Sequence, residues 1–278
     1  MKRAEAGDLV EAAGITTNYH DAGDGAAVVL IHGSGPGASA YATWRQCIPA
    51  LATDHRVLAP DLLGFGLTER PPGLVCSLAA WLDHLVGFLD AVGVRRASLV
   101  GYSLGGALAI ALAARRPERV DGLVLVSSAG LSFAVTEGLM TVWGYRPGIA
   151  AMRRLLETLA HDRELVTDEV VETRYRASVE PGAQEAFARL FPVPYQRWVD
   201  AVATPEPRIR AIPHRTLLVH GREDRVVPLE TAYRLMQLIP RSQLHVLGGC
   251  GHWLPVERAD DLHLLLRGFL ARPEGGSR

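Results

Sequence analysis

Short runs of consecutive apolar residues recur along the chain and alternate with longer segments in which apolar positions follow a helical period. Unbroken runs of Val, Ile and Leu are typical of strands in a parallel sheet that is covered on both faces. The pattern predicts strands over residues 27–31, 56–60, 97–101, 122–127, 216–220 and 243–247. We also expect residues 8–20 to form a hairpin at one edge of the sheet.

Segments of helical character separate several of these strands. The first begins at Ser77, a residue type that caps helices, and ends at Gly93; the second is rich in alanine and stops before Pro117. Helices are predicted over residues 77–92, 104–116, 229–239 and 256–270. Strands that alternate with helices predict a mostly parallel, doubly wound α/β sheet with right-handed crossovers.

The alternation stops over residues 131–199, which contain no predicted strand. Prolines divide this stretch into helices predicted over residues 136–144, 148–160, 168–178 and 181–190. A helical insert of this kind is typical of a cap over the carboxyl ends of the strands, where ligands bind in open α/β sheets. We therefore predict a core domain of residues 1–130 and 200–278 and a helical cap of residues 131–199. The alternative is that these helices extend the core.

The composition is that of a folded protein: 278 residues, 48% hydrophobic and 21% charged, with a net charge of −1. Without a Lys/Arg run, no nucleic-acid partner is expected. No apolar run is long enough for a signal peptide or a membrane span, so we expect no membrane association and a cytoplasmic location. Cys47, Cys76 and Cys250 are far apart and lack CxxC spacing, which indicates reduced, buried thiols and no metal site.

The run Gly-Tyr-Ser-Leu-Gly-Gly at residues 101–106 fits the pattern G-x-S-x-G between an apolar strand and an alanine-rich helix. So tight a turn has no room for side chains at its flanks, which explains the glycines at 101 and 105. Ser103 is then held in a strained conformation beside the amino end of a helix, where negative charge is stabilised. We predict Ser103 as a nucleophile; the alternative is a glycine-rich turn with an incidental serine.

A serine hydroxyl needs a base, and in the α/β-hydrolase fold the chain order is serine, acid, histidine. Asp224 follows the strand at 216–220 and is the predicted acid. Glu223 is its rival, and a capping role for Asp224 is a further alternative. His252 follows the strand at 243–247 and is the predicted base, because the other histidines lie in helices, surface loops, strands or the glycine-rich loop. His252 would take the Ser103 proton while Asp224 orients the imidazole.

An oxyanion formed at Ser103 requires convergent N–H donors. Leu104, the residue after the nucleophile, is predicted to supply one of them. The second is expected from the Gly33–Ser34 stretch, most directly from the Ser34 amide. A phosphate-binding interpretation of this glycine loop is disfavoured, because it lacks the Lys-Ser/Thr ending of a P-loop and the G-x-G-x-x-G spacing.

Four motifs together resemble the meta-cleavage-product hydrolases, a group within the α/β-hydrolase superfamily. They are HGSGPGA at 32–38, DLLGFG at 61–66, GREDRVVP at 221–228 and GHW at 251–253. The glycine-rich run is the most specific of them, and the resemblance covers nearly the whole chain. It implies cleavage of a carbon–carbon bond next to a ketone in a small vinylogous diketone, with water as co-substrate and no cofactor. It also implies a possible homodimer.

The resemblance implies further substrate-binding positions. Arg174 resembles the arginine that binds the substrate's carboxylate or dienol oxygen, although a solvated helix arginine is the alternative. Trp253 and Phe65 would line the pocket. The family usually carries asparagine where Tyr102 and Thr43 stand here, and both asparagines hold the polar end of the substrate. Their absence leads us to expect a different ketone or ester, larger or less carboxylated.

Three other interpretations remain open. A carboxylic ester or lactone hydrolase would use the same triad through an acyl-enzyme. Epoxide hydrolases and haloalkane dehalogenases use aspartate at the elbow, which Ser103 argues against. A relative that is not a hydrolase, acting as a ligand receptor or in a biosynthetic rearrangement, is compatible with an intact triad.

Overall fold

The computed structural model describes residues 5–71, 73 and 75–271. They form an eight-stranded sheet in the order β1-β2-β4-β3-β5-β6-β7-β8. Its strands are β1 Asp8–Ala12, β2 Ile15–Ala22, β3 Ala27–Ile31, β4 Arg56–Pro60, β5 Ala97–Tyr102, β6 Val120–Val126, β7 Thr216–Gly221 and β8 Ser242–Leu247. Among the described strands, only β2 pairs antiparallel, with β1 and with β4, whereas all other neighbours are parallel. The edge hairpin and the six predicted strands are thus confirmed.

The sheet is covered on both faces, as the unbroken apolar strands predict. In β3, Val29 and Ile31 pack into a core cluster with helices α3 (Leu78–Ala91) and α4 (Leu104–Arg115). Val28 and Leu30 point the other way, toward α1 (Ala40–Trp44), α2 (Cys47–Leu51) and α13 (Ala259–Leu270). This arrangement is doubly wound, and it is that of the α/β-hydrolase fold.

The longer predicted helices are present, with one correction. Residues 256–270 were expected to be a single helix, but the segment consists of α12 (Leu254–Glu257) and α13. The two are separated at Arg258, whose backbone leaves the helical region with φ −132° and ψ 44°. The short helices α1, α2, α9 (Gln196–Ala201) and α10 (Glu206–Arg210) were not predicted, because they are too short to show a hydrophobic period.

Six α-helices and no strand lie between β6 and β7 in the described part of the chain. They are α5 Glu137–Trp143, α6 Ile149–Leu159, α7 Asp168–Ser178, α8 Ala183–Leu190, α9 and α10. Helix α6 packs against both α5 and α7. The division into a core and a cap at residues 131 and 199 stays a prediction.

The three cysteines are free and buried, as expected. None of the described helices is both long and apolar enough to cross a bilayer. From the sequence we also expect the tail at 273–278 to fray, but these residues fall outside the described part of the chain.

Candidate active site

The turn between β5 and α4 forces an uncommon backbone conformation on Ser103, with φ 54° and ψ −116°. A Cβ atom on Gly101 would lie 2.4 Å from the Gly105 carbonyl oxygen, and one on Gly105 would lie 2.2 Å from the carbonyl oxygen of Ile31. Neither position accepts a side chain, which confirms the predicted reason for both glycines. A serine at positive φ costs on the order of 1–3 kcal/mol, so the surrounding structure must hold it there.

Three side chains from distant loops form one continuous chain of hydrogen bonds. The Ser103 hydroxyl lies 3.0 Å from Nε2 of His252, and Nδ1 of His252 lies 2.8 Å from Oδ2 of Asp224. Ser103 and His252 are buried, and the Asp224 side chain is completely inaccessible. The three residues follow β5, β8 and β7, so the carboxyl ends of parallel strands bring them together.

Asp224 is held as a carboxylate by several partners. Its Oδ1 accepts the backbone N–H groups of Val226 at 2.8 Å and Val227 at 2.9 Å. Burial raises the pKa of this carboxyl, but the charge of His252 and hydrogen bonds from His220 and His252 outweigh it. The net pKa of Asp224 lies well below its usual range. An anion opposite the imidazole therefore persists at neutral pH.

His220 is a neighbour of the site that the sequence did not reveal. Its Nε2 lies 3.3 Å from Oδ2 of Asp224 and 3.1 Å from the carbonyl oxygen of Val227. The only sequence signal is its place near the end of β7, four residues before Asp224. Glu223, the rival acid, accepts instead from the Cys250 amide at 2.9 Å and from Arg222 at 2.8 Å.

The peptide bond between Gly33 and Ser34 is fixed from one side by His32. The His32 Nδ1–H donates to the Gly33 carbonyl oxygen at 2.7 Å, because its Nε2 accepts the Leu62 N–H at 2.9 Å. Burial lowers the pKa of His32 to about 4, so the ring is neutral, as this pattern requires. The C=O and N–H of a trans peptide point in opposite directions. Holding the Gly33 carbonyl toward His32 therefore directs the Ser34 N–H away from it.

The triad opens into a chamber of about 50 Å³ beneath the helices of the insert. Its walls are mostly apolar side chains from α5 and α6, together with a valine from the loop after β7. These are Leu139, Val142, Met152, Leu155, Leu156, Leu159 and Val226. Polar groups lie on the opposite side, toward the glycine-rich loop. These are Ser34, Thr43, Tyr102, Ser103, Arg174 and His252.

A second, larger cavity of about 720 Å³ adjoins this chamber. The two share Gly35, Ala38, Ala42, Arg174 and Trp253 in their walls. Arg174 and Trp253 are therefore brought to the junction between a small inner chamber and a wider, more open space.

Arg174 is half-buried in α7 and, within the described residues, makes no hydrogen bond and no ion pair. Burial lowers the pKa of its guanidinium, although nearby charges partly offset this. A guanidinium remains charged under such conditions, so an unpaired cation faces the chamber. A solvated arginine on an exposed helix face would not be enclosed in this way.

Tyr102 and Thr43 occupy the positions of the missing asparagines in different ways. The Tyr102 ring packs 5.1 Å from the imidazole of His252, and its hydroxyl has no partner among the described residues. Burial raises the pKa of Tyr102 well above its usual value, so the phenol stays protonated. The Thr43 hydroxyl donates to the carbonyl oxygen of Ser39, the N-cap residue of its own helix, at 3.1 Å.

Phe65 is not brought into the chamber that holds Ser103. It is buried edge-on against the ring of His32, with centroids 5.5 Å apart, and lines the larger cavity. A motif in the sequence could not distinguish the two cavities, because they share one wall.

Within residues 5–271, apart from the undescribed 72 and 74, no group of three or more His, Cys, Asp or Glu side chains could hold a metal.

Comparisons with known proteins agree with this geometry. A family model described as alpha/beta hydrolase fold matches residues 26–259. The chain is 53% identical to 2-hydroxymuconate semialdehyde hydrolase of Pseudomonas sp. strain CF600, over 98% of this chain and 96% of that protein. It is also 53% identical to 2-hydroxy-6-oxo-2,4-heptadienoate hydrolase of Pseudomonas putida F1, over 96% and 97% of the two chains.

Solved structures point the same way. A variant of the meta-cleavage product hydrolase CumD from Pseudomonas fluorescens IP01, complexed with acetates, superposes with a TM-score of 0.96 at 52% identity. The match covers 97% of this chain and 99% of CumD. The chain therefore belongs to the α/β-hydrolase fold family and, within it, to the meta-cleavage product hydrolases.

Proposed function

We propose that this protein hydrolyses the C5–C6 bond of a 2-hydroxy-6-oxo-2,4-dienoate that carries hydrogen or a small alkyl group on C6. The observation that carries the proposal is the hydrogen-bonded chain Ser103–His252–Asp224, at 3.0 Å and 2.8 Å, in a small chamber. The same chamber is lined by an arginine that has no ion-pair partner in the described part of the chain. Such a site combines an activated nucleophile with a receptor for an anionic substrate group.

The triad residues have distinct roles in this proposal. The Ser103 oxygen adds to the C6 carbonyl as its proton passes to Nε2 of His252, and Asp224 stabilises the imidazolium. The amides of Ser34 and Leu104 stabilise the resulting oxyanion. When the C5–C6 bond breaks, C6 remains as an acyl group on Ser103, and the imidazolium of His252 gives its proton to the departing dienolate, which leaves as the 2-hydroxydienoate. Water then adds to that ester with His252 as the base, and the carboxylic acid leaves.

Carbon is a poor leaving group unless its electron pair is delocalised. If the 2-hydroxyl proton first moves to C5, the substrate becomes a ketone at C2 that is conjugated with the C3–C4 double bond. The electron pair of the breaking bond then flows to the C2 oxygen, which gains negative charge. We assign to Arg174, a cation without a hydrogen-bonding or ion-pair partner among the described residues, the role of binding the carboxylate or this oxygen. Tyr102, a protonated phenol whose hydroxyl has no partner within the residues that the structure describes, can donate to the same end.

The small inner chamber favours a small C6 substituent. Its volume of about 50 Å³ accommodates a hydrogen or methyl group more readily than a phenyl ring. The two relatives that share 53% identity are named for substrates with hydrogen and methyl at that position. The polar end of the substrate would extend past Arg174 and Trp253 toward the larger cavity. This proposal replaces the earlier expectation of a larger or less carboxylated substrate.

The test is kcat/KM for substrates that differ only at C6, with hydrogen, methyl or phenyl, alongside p-nitrophenyl acetate. We expect the hydrogen and methyl substrates to exceed the phenyl one by at least about tenfold. We also expect 2-hydroxypenta-2,4-dienoate as a product. Equal kcat/KM for methyl and phenyl would contradict the size argument. Turnover of the ester alone would favour the carboxylic ester hydrolase.

A homodimer and a cytoplasmic location stay predictions.

A further inference from the structure

A hydrogen bond joins the helical insert directly to the glycine-rich loop. Trp143, the last residue of α5, donates its Nε1–H to the Ser34 hydroxyl oxygen over 3.0 Å. The two residues lie 109 positions apart in the chain, and Ser34 lines the chamber that contains Ser103. Trp143 has no place in the triad or among the residues that line that chamber.

The donor is held in a fixed orientation by other aromatic rings. The indole of Trp143 stacks on Phe191 with centroids 4.4 Å apart and an interplanar angle of 6°, and it meets Tyr195 edge-on at 6.2 Å. Phe191 in turn stacks on Trp81 of α3 at 6.3 Å. This aromatic cluster spans the insert and the core, and Trp143 is only 8% exposed. Its N–H therefore cannot easily turn to another acceptor.

The acceptor lies in a backbone segment that would otherwise be loosely determined. Ser34 stands between Gly33 and Gly35, and glycines permit many backbone conformations. His32 fixes the carbonyl of the Gly33–Ser34 peptide, and Trp143 fixes the side chain on its other side. The orientation of the Ser34 N–H is thus restrained from two sides. One restraint comes from His32 in the core loop and the other from Trp143 in the insert.

We propose that Trp143 is a positioning residue that makes the oxyanion donor at Ser34 depend on the position of α5. The packed position of α5 is the one in which the Trp143 indole reaches Ser34. The inference rests on the proposed function, since it assumes that the Ser34 amide binds the oxyanion. When α5 is in this packed position, the indole N–H restrains Ser34, and the Ser34 N–H points toward the reacting oxygen. When α5 moves away, this restraint is lost and the donor is no longer fixed. The packing of α5 against the core and the fixing of the Ser34 donor therefore occur together.

The test compares two tryptophan-to-phenylalanine variants, one at Trp143 and one at Trp198, whose ring also meets Phe191 edge-on at 6.2 Å. Trp143→Phe keeps a stacking ring but removes the donor to Ser34. Trp198→Phe removes the indole donor to the Pro192 carbonyl, at 2.7 Å, which lies away from the loop. We expect Trp143→Phe to lower kcat about tenfold with KM changed by less than about twofold, since the donor is loosened and not deleted. Trp198→Phe should keep kcat within about twofold of the wild-type value.

A second measurement separates this role from a general loss of structure. Methylboronic acid, whose methyl group matches the small C6 substituent of the proposed substrate, forms a tetrahedral, anionic adduct with an active serine. Its inhibition constant should rise by the same factor as kcat falls. Ser34→Ala removes the acceptor and should give a similar loss. The double variant Trp143→Phe/Ser34→Ala should lose little more than either alone, because both remove one interaction.

Unchanged kcat and boronate affinity in Trp143→Phe would overturn the inference, as would an equal loss in Trp198→Phe. Additive losses in the double variant would also overturn it. The measurements use p-nitrophenyl acetate as well as the dienoate. If the chain cleaves the ester but no dienoate, the proposed carbon–carbon activity fails while the role of Trp143 is still decided.

Discussion

Ser103 combines a positive φ with a hydrogen bond to His252, and both features come from residues that the sequence identifies. The glycines beside it, the acid and the base could be predicted because each occupies a fixed place after a strand of a known topology. His220 and Trp143 could not be predicted. Their contacts with Asp224 and Ser34 depend on how distant segments pack, and nothing local in the sequence marks them.

Arg174 offers a direct prediction at the residue scale. Arg174→Ala should raise KM for the dienoate by about tenfold or more, because it removes a charge-assisted contact with an anionic group. Its effect on p-nitrophenyl acetate should be smaller. Arg154→Ala removes an exposed arginine of α6 and serves as the control. An unchanged KM in steady-state assays of Arg174→Ala would contradict a substrate-binding role. Arg174 would then be a solvated helix arginine.

Long elements were predictable and short ones were not. Strands such as β3 and helices such as α3 contain enough apolar positions to set a period, and Ser77 caps α3 as expected, accepting from the Ala80 N–H. The break at Arg258 has no such signal. It follows from contacts that form only in the folded chain, where Arg258 donates to the Gly248 carbonyl oxygen at 2.6 Å.

Glu257, at the end of α12, connects the loop before His252 to the insert. One carboxylate oxygen accepts the Gly251 N–H at 2.9 Å, and the other accepts the N–H groups of His161 and Asp162 at 2.7 Å and 3.0 Å. Glu257→Ala leaves these donors without their partner, so it should lower the free energy of unfolding by about 1–3 kcal/mol. It should also lower kcat, because the loop that holds His252 loses its support.

Urea unfolding and steady-state assays would check this prediction for Glu257. Glu230→Ala, at an exposed position in the first turn of α11 (Leu229–Leu238), is the matched control and should change stability by less than about 0.5 kcal/mol. Equal stability of the two variants would show that the three N–H groups find other partners.

Buried histidines give the whole molecule a dependence on pH. Burial lowers the pKa of both His32 and His84 to about 4. The unfolded chain therefore binds more protons than the folded one between about pH 4 and pH 6.5, and stability rises with pH across that window. Burial raises the pKa of Asp61 to about 6, which opposes the trend, because a folded state that holds its proton loses stability as pH rises.

The two histidines outweigh the one carboxyl, so stability should fall as the pH drops from about 7 to about 5. His84→Gln removes one titrating group and should reduce the loss by roughly 2 kcal/mol. Gln237→Ala, at an exposed position of α11, removes no titrating group and should retain the wild-type slope. Urea unfolding at a series of pH values would measure this. A His84→Gln slope equal to that of the wild-type protein would contradict the account.

The central claim is that Ser103, His252 and Asp224 act together to break a carbon–carbon bond. Single-turnover measurements with 2-hydroxy-6-oxohepta-2,4-dienoate, comparing wild type with Ser103→Ala, test it most directly. The wild-type protein should release acetate and 2-hydroxypenta-2,4-dienoate in equal amounts. Ser103→Ala should do so at least about 10³-fold more slowly, with thermal stability close to that of the wild type, because alanine must adopt the same positive φ as serine. Near-normal release by Ser103→Ala would contradict the account.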